Sequence, residues 1–161
     1  MNELTAAIEA LDPNVVAGLA LATTGVIVGS IITALVRYLL ISIGYSKMHR
    51  KAGEAGWKAF IPFYREYINY SISWKSKLFF LYLVLGGLTS FLSTFGYTEG
   101  AMAIVALVVG IGSIYLMVKQ NVRMAKSFGK GVGTGIALML FPGITSMILG
   151  LGKAEYTAIE Q

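Results

Sequence analysis

Four long apolar stretches constrain this chain more than any other feature. A bilayer core of about 30 Å is crossed by a helix of about 20 apolar residues. The first stretch runs over about 15–43 and is interrupted only by Arg37. The second covers about 78–95, the third about 101–118 and the fourth about 132–151. Charged residues are only 13% of the 161, against roughly a quarter in a soluble domain. Mean hydropathy is +0.71. These values exclude a disordered chain, a basic nucleic-acid arm and an ordinary water-soluble enzyme. They predict an all-α polytopic membrane protein: one integral membrane domain over 1–161, with four transmembrane helices.

The fourth stretch is the weakest as a straight helix. It is entered through Gly129, Gly131, Gly133 and Gly135 and contains Pro142. Glycine lowers helix propensity, and proline removes a backbone donor. The first stretch exceeds what a span needs, so it must tilt or project from the membrane.

Basic residues set the expected orientation. Segment 46–77 carries Lys47, Arg50, Lys51, Lys58, Arg65, Lys75 and Lys77, and segment 119–130 carries Lys119, Arg123, Lys126 and Lys130. The N-terminal tail and the turn 96–100 carry none, and the C-terminal tail has only Lys153. Cytoplasmic loops hold the excess of Lys and Arg. With four spans, both basic loops are then cytoplasmic and both termini lie outside. Met1 to Pro13 hold Glu3, Glu9 and Asp12 and no basic residue, so no cleavable signal peptide is expected. The net charge of +5 reads as this orientation signal, and no nucleic-acid partner is expected.

Chemistry-bearing residues are sparse. Cysteine is absent and His49 is the one histidine, so disulfides, thiol nucleophiles and the usual zinc sites are excluded. The run Gly129–Gly135 superficially suggests a phosphate loop but lacks both the P-loop and the dinucleotide spacing. It leaves Lys126 and Lys130 as candidates for an anionic headgroup. No catalytic residue, metal or cofactor is expected.

Three other patterns stand out. Trp57, Phe60, Tyr64, Tyr67 and Trp74 recur on one side of the loop 46–77, with Lys58, Arg65 and Asn69 between them. This predicts short amphipathic interfacial helices, divided near Pro62, serving either as an anchor or as a partner surface. Gly18, Ala22, Gly25, Gly29 and Thr33 form a small-residue stripe on the first span, the pattern of a helix-packing face. Arg37 is the candidate intramembrane charge. It snorkels, pairs with Glu54 or Glu66, or is functional.

Two sequence blocks carry a resemblance. Lys51-Ala-Gly-Glu-Ala-Gly-Trp-Lys-Ala-Phe-Ile-Pro-Phe-Tyr64 and Ala125-Lys-Ser-Phe-Gly-Lys-Gly131 resemble a family of small bacterial multi-spanning membrane proteins of undefined function, as do Leu151, Gly152 and Tyr156. The resemblance covers about 45–156. Members are sometimes labelled signal-peptidase-like. The Ser-x-x-Pro nucleophile context of a signal peptidase is missing here, and no large extracytoplasmic segment is present to hold a Lys base. The resemblance implies membrane residence, in the plasma membrane of a bacterium, and no catalytic residues.

The expected function is therefore non-enzymatic: a scaffold, assembly or regulatory subunit of an envelope complex. Its partners are the lipid bilayer and either a second copy or another membrane protein. The alternative is a homo-oligomeric channel or transport subunit, suggested by Arg37 and the broken fourth stretch. A lipid-modifying enzyme is the least supported, because no nucleophile and base converge.

Overall fold

Asp12 opens the first helix. Its carboxylate accepts the Asn14 N–H at 2.8 Å, and Pro13 occupies the first helical position, where its missing N–H costs nothing. The helix then runs without interruption over Pro13–Lys51 and is α1. Thirty-nine residues make about 58 Å of helix, nearly twice the bilayer core. The structure is a computed structural model and describes residues 12–94 and 100–159.

The chain divides into two compact units, Met1–Tyr38 and Leu39–Gln161. In the first unit, every described side chain from Asp12 to Arg37 is exposed. Those of α1 are almost all apolar or small, as a lipid-facing helix requires.

The second unit begins with the last turns of α1. There burial sets in: Ser42, Gly44, Tyr45, Met48 and His49 are all buried. A 3-10 turn, Gly56–Phe60, follows. Ile61 is extended (φ −108°, ψ 112°) and Pro62 opens α2, Pro62–Ser73. The residue before a proline disfavours helix, so the expected division at Pro62 is present. Two long helices follow, α3 over Ser76–Thr94 and α4 over Gly100–Ser127. Together with α1 they are, among the described residues, the three helices long and apolar enough to cross a membrane.

Helix α4 outruns its apolar stretch by nine residues. Segment 119–127 is polar enough to be expected as a loop, yet Gln120, Met124, Ala125 and Ser127 are buried in protein. The helix closes with the Lys130 N–H on the Ala125 carbonyl at 2.9 Å. Gly129 there takes φ +67°, the left-handed residue such a closure uses.

The fourth apolar stretch does not form one helix. It folds as α5, Val132–Leu140, and α6, Pro142–Leu151. Phe141 separates them at φ −128°, ψ 60°. Pro142 cannot continue the backbone ladder, and the Thr145 hydroxyl donates to the Ala137 carbonyl across the break at 3.0 Å. Each piece is about 15 Å long, half a bilayer core. Helix α6 lies along the last turns of α1, with Gly143 against Ile41, Ser146 against Gly44 and Gly150 against Lys47. The chain therefore comes back towards the end of α1. The Lys51 ammonium donates to the carbonyls of Leu149, Gly152 and Ala154 at 2.7–2.8 Å. The Thr157 N–H reaches the Ser127 carbonyl at 2.7 Å.

The hydrophobic core sits at this end. Met48, Ile68, Ile72, Met124, Phe128, Leu138 and Leu149 meet there with Tyr45 and Ala59. Burial of such side chains contributes about 1.5–3 kcal/mol each. By contrast, the apolar stretches of α3 and α4 are mostly exposed.

Candidate functional site

Glycines set how closely the helices of the second unit approach. A Cβ on Gly44 would overlap Ser146 and lie 2.8 Å from the Met147 nitrogen. One on Gly135 would lie 2.5 Å from the Val122 Cα, and one on Gly150 would lie 2.6 Å from the Gly44 oxygen. No side chain fits these places. The three glycines bring α6 onto α1 and α5 onto α4, and so close the cage in which a polar network is held.

At the centre of that network is His49, fully buried. Its Nε2 lies 2.9 Å from Asn69 Oδ1. The Asn69 amide nitrogen donates to Glu66 at 3.2 Å, so the amide oxygen is the acceptor and Nε2 carries the proton. Nδ1 is buried and has no hydrogen-bond partner among the described residues. His49 lies beyond the apolar run 15–43, and burial pushes its pKa below the usual histidine value. The ring is therefore neutral at pH 7. Glu66 pairs with Arg65 at 3.3 Å, and the Arg65 guanidinium stands 5.5 Å from the Tyr45 ring centre. Ser73 extends the network: its hydroxyl donates to the Asn69 carbonyl at 2.5 Å and accepts from Gln120 at 3.3 Å. The Tyr156 hydroxyl donates to the Ile72 carbonyl at 2.6 Å. Four segments distant in sequence are thus tied together by buried and half-buried polar contacts. His49, Asn69 and Ser73 are joined through Asn69, and such a buried network holds its members in one arrangement. Among the described residues, no three of His, Cys, Asp and Glu come together.

The aromatic residues expected on one loop face separate into two groups. Trp57 packs 5.9 Å from Tyr64, which stacks on Tyr67 at 6.1 Å, and Tyr67 meets Phe79 at 5.7 Å. Lys58 pairs with Glu54 at 2.6 Å and lies over Tyr64. Trp57 is 59% exposed and Phe60 42%. With Ile61 and Phe63 they form an apolar corner around Pro62. Trp74 belongs elsewhere, under the cations of Lys119 and Arg123 at 5.0 and 5.7 Å.

The small-residue stripe lies in the first unit. Among the described residues, Cβ atoms built on Gly18, Gly25 and Gly29 meet nothing within 4 Å, and Ala22 and Thr33 are exposed. Arg37 is exposed too. Glu54 and Glu66, the carboxylates considered for it, pair with Lys58 and Arg65. Lys126 and Lys130 are exposed on either side of the Gly129 turn. The residues that sequence reasoning missed are Gly44, Gly135, Gly150, Asn69 and Lys51. The spacing of Asn69 and Ser73, four apart on α2, was the available signal for a polar face turned inward.

Residues 57–158 match the model of a family described as a family of unknown function (DUF5684). No curated protein and no solved structure matches the chain.

Proposed function

The chain belongs to that family of unknown function, DUF5684, and we propose that it is a non-enzymatic integral membrane protein that scaffolds, assembles or regulates an envelope complex. One contrast carries this reading. In the second unit, small residues are placed where helices touch, as at Gly44, Gly135 and Gly150. In the first unit, the same residue type lines one side of a lipid-length helix, with open space at Gly18, Gly25 and Gly29. Lipid gives helices no hydrophobic drive to associate, so close backbone approach is the means by which they do. The stripe is accordingly the face for another helix, from a second copy or a different membrane protein.

The proposed setting is the plasma membrane of a bacterium, crossed three times, with α5 and α6 entering one leaflet and returning. Exposed apolar residues on that pair, such as Ile136, Phe141, Ile144 and Ile148, suit lipid contact. The N-terminus then lies outside. The C-terminal tail joins the basic loops in the cytoplasm, which differs from the expectation of two external termini. Twelve of the thirteen Lys and Arg residues fall on the cytoplasmic side in this arrangement, as the positive-inside rule favours. The loop helices and their exposed Trp57–Phe63 corner lie along that surface.

Photo-crosslinking in native membrane tests the helix face. A crosslinker at residue 25 or 29 should yield a defined adduct, and one at residue 27 or 31, on the opposite side, should not. Equal yields from both sides would overturn the reading. Ion flux from liposomes holding the purified chain would favour the channel reading instead.

A further inference from the structure

Helices α3 and α4 mark the same level of the membrane independently. Helix α3 begins at Ser76 and its apolar run at Leu78, while the apolar run of α4 ends at Val118. The residues flanking those boundaries touch each other. The Lys119 ammonium stands 5.0 Å from the Trp74 ring centre and 5.1 Å from that of Tyr115, and it donates to the Tyr115 hydroxyl at 2.7 Å. Arg123, one turn on, lies over the same indole at 5.7 Å and donates to the Ser73 carbonyl at 3.0 Å. Lys75 and Lys77 are exposed beside Trp74 in the sequence. Trp and Tyr rings at this depth are what headgroup-level anchoring uses.

Three lysines of this corner have no acidic partner among the described residues. Glu54 and Glu66 pair with Lys58 and Arg65. Among the described residues, Lys75, Lys77 and Lys119 make no ion pair. Lys119 directs one of its three N–H donors to Tyr115. Cations held at a lipid–water boundary, on rings that fix their depth, meet the phosphate layer of the membrane.

We infer that this corner, formed by Trp74, Lys75, Lys77, Tyr115, Lys119 and Arg123, is a selective site for the headgroup of an anionic glycerophospholipid. It needs neither the Lys126 and Lys130 turn nor a helix terminus. The lipid phosphate faces Lys119, the rings of Trp74 and Tyr115 lie against the upper acyl chain, and Lys75 and Lys77 select for net negative headgroups.

The test uses the full chain carrying Trp57→Phe, which leaves Trp74 as the single tryptophan. It is reconstituted into phosphatidylcholine vesicles containing equal mole fractions of lipid brominated high on the acyl chain, either phosphatidylglycerol or phosphatidylcholine. Quenching of Trp74 should be enriched about fivefold for the anionic lipid, the attraction expected of about one lysine near the surface. Replacing Lys75, Lys77 and Lys119 by Gln should bring the ratio to about one, with quenching by phosphatidylcholine unchanged. That unchanged quenching shows that the variant is folded and inserted. A ratio of one in the unsubstituted corner would overturn the inference. It is also the outcome if the true occupant is an acidic protein segment, absent from these vesicles. A ratio that survives the three substitutions would overturn it too. Absence of quenching by either lipid would refute the interfacial placement itself while leaving the helix face of α1 to its own crosslinking test.

Discussion

Gly25 and Gly44 lie nineteen residues apart on one continuous helix and have opposite surroundings. A Cβ at Gly25 meets nothing within 4 Å, whereas at Gly44 it meets Ser146 and the Met147 backbone. The first is in the unit ending at Tyr38, and the second is in the unit starting at Leu39. Lipid asks of the first region only that it be apolar and satisfy its own backbone. Protein packing asks of the second that each side chain have one volume and one place. One helix thus carries two kinds of specification, and substitutions separate them.

The largest effect should come from Gly44→Leu. The new side chain has no room between α1 and α6, and unfolding stability in detergent should fall by roughly 3 kcal/mol. Gly25→Leu should stay within about 0.5 kcal/mol of the parent in the same melt and should show its effect only in association. Equal losses in the two variants would erase the distinction between the regions.

A smaller loss should follow from Asn69→Leu, about 2 kcal/mol. It leaves the buried His49 Nε2–H without an acceptor and removes the bond to Glu66. Denaturant melts read it. The double variant with His49→Leu should recover part of the loss, since removing both partners leaves no orphan donor.

The pH response should be weaker still. The folded-state pKa of His49 is depressed, chiefly by burial, with Arg65 and Lys58 also disfavouring its charge and Asn69 and Glu54 favouring it. The unfolded chain then binds more protons than the folded one. Stability from this group is present above the unfolded value of about 6.5 and is lost as pH falls through it. Melting followed from pH 7.5 to pH 5.5 (about one unit either side of that value) should decline, and His49→Gln should flatten the decline. An unchanged slope in the variant would place the titration elsewhere.

The extent to which the sequence disclosed this arrangement follows the same division. Membrane-length helices were legible because hydropathy alone decides them: 78–95 and 101–118 correspond to α3 and to the membrane-length part of α4. Chain breaks at Pro62 and Pro142 were legible from proline geometry. Helix ends were not. Residues 46–51 and 119–127 read as loop by polarity, yet they are helical, and His49, Gln120 and Ser127 are polar residues buried in protein. Periodicity shows which side of a helix is apolar, but not what lies across from it. The bonds from Lys51 to Leu149, Gly152 and Ala154 span about a hundred residues, a distance at which no local pattern operates. For the same reason, the stripe of α1 was easier to see than Gly44, Gly135 and Gly150, which follow no repeat.

The most direct test of a returning helix pair is the side of the membrane on which the C-terminal tail lies. The chain has no cysteine, so single variants Glu3→Cys, Lys126→Cys and Glu155→Cys can each be labelled with an impermeant maleimide from either side of sealed native membranes. Residues 126 and 155 should label from the cytoplasmic side and residue 3 from the outside. Labelling of residue 155 from the outside, opposite to residue 126, would mean that 132–151 crosses the membrane, and would contradict the fold in which Lys51 closes on the end of α6.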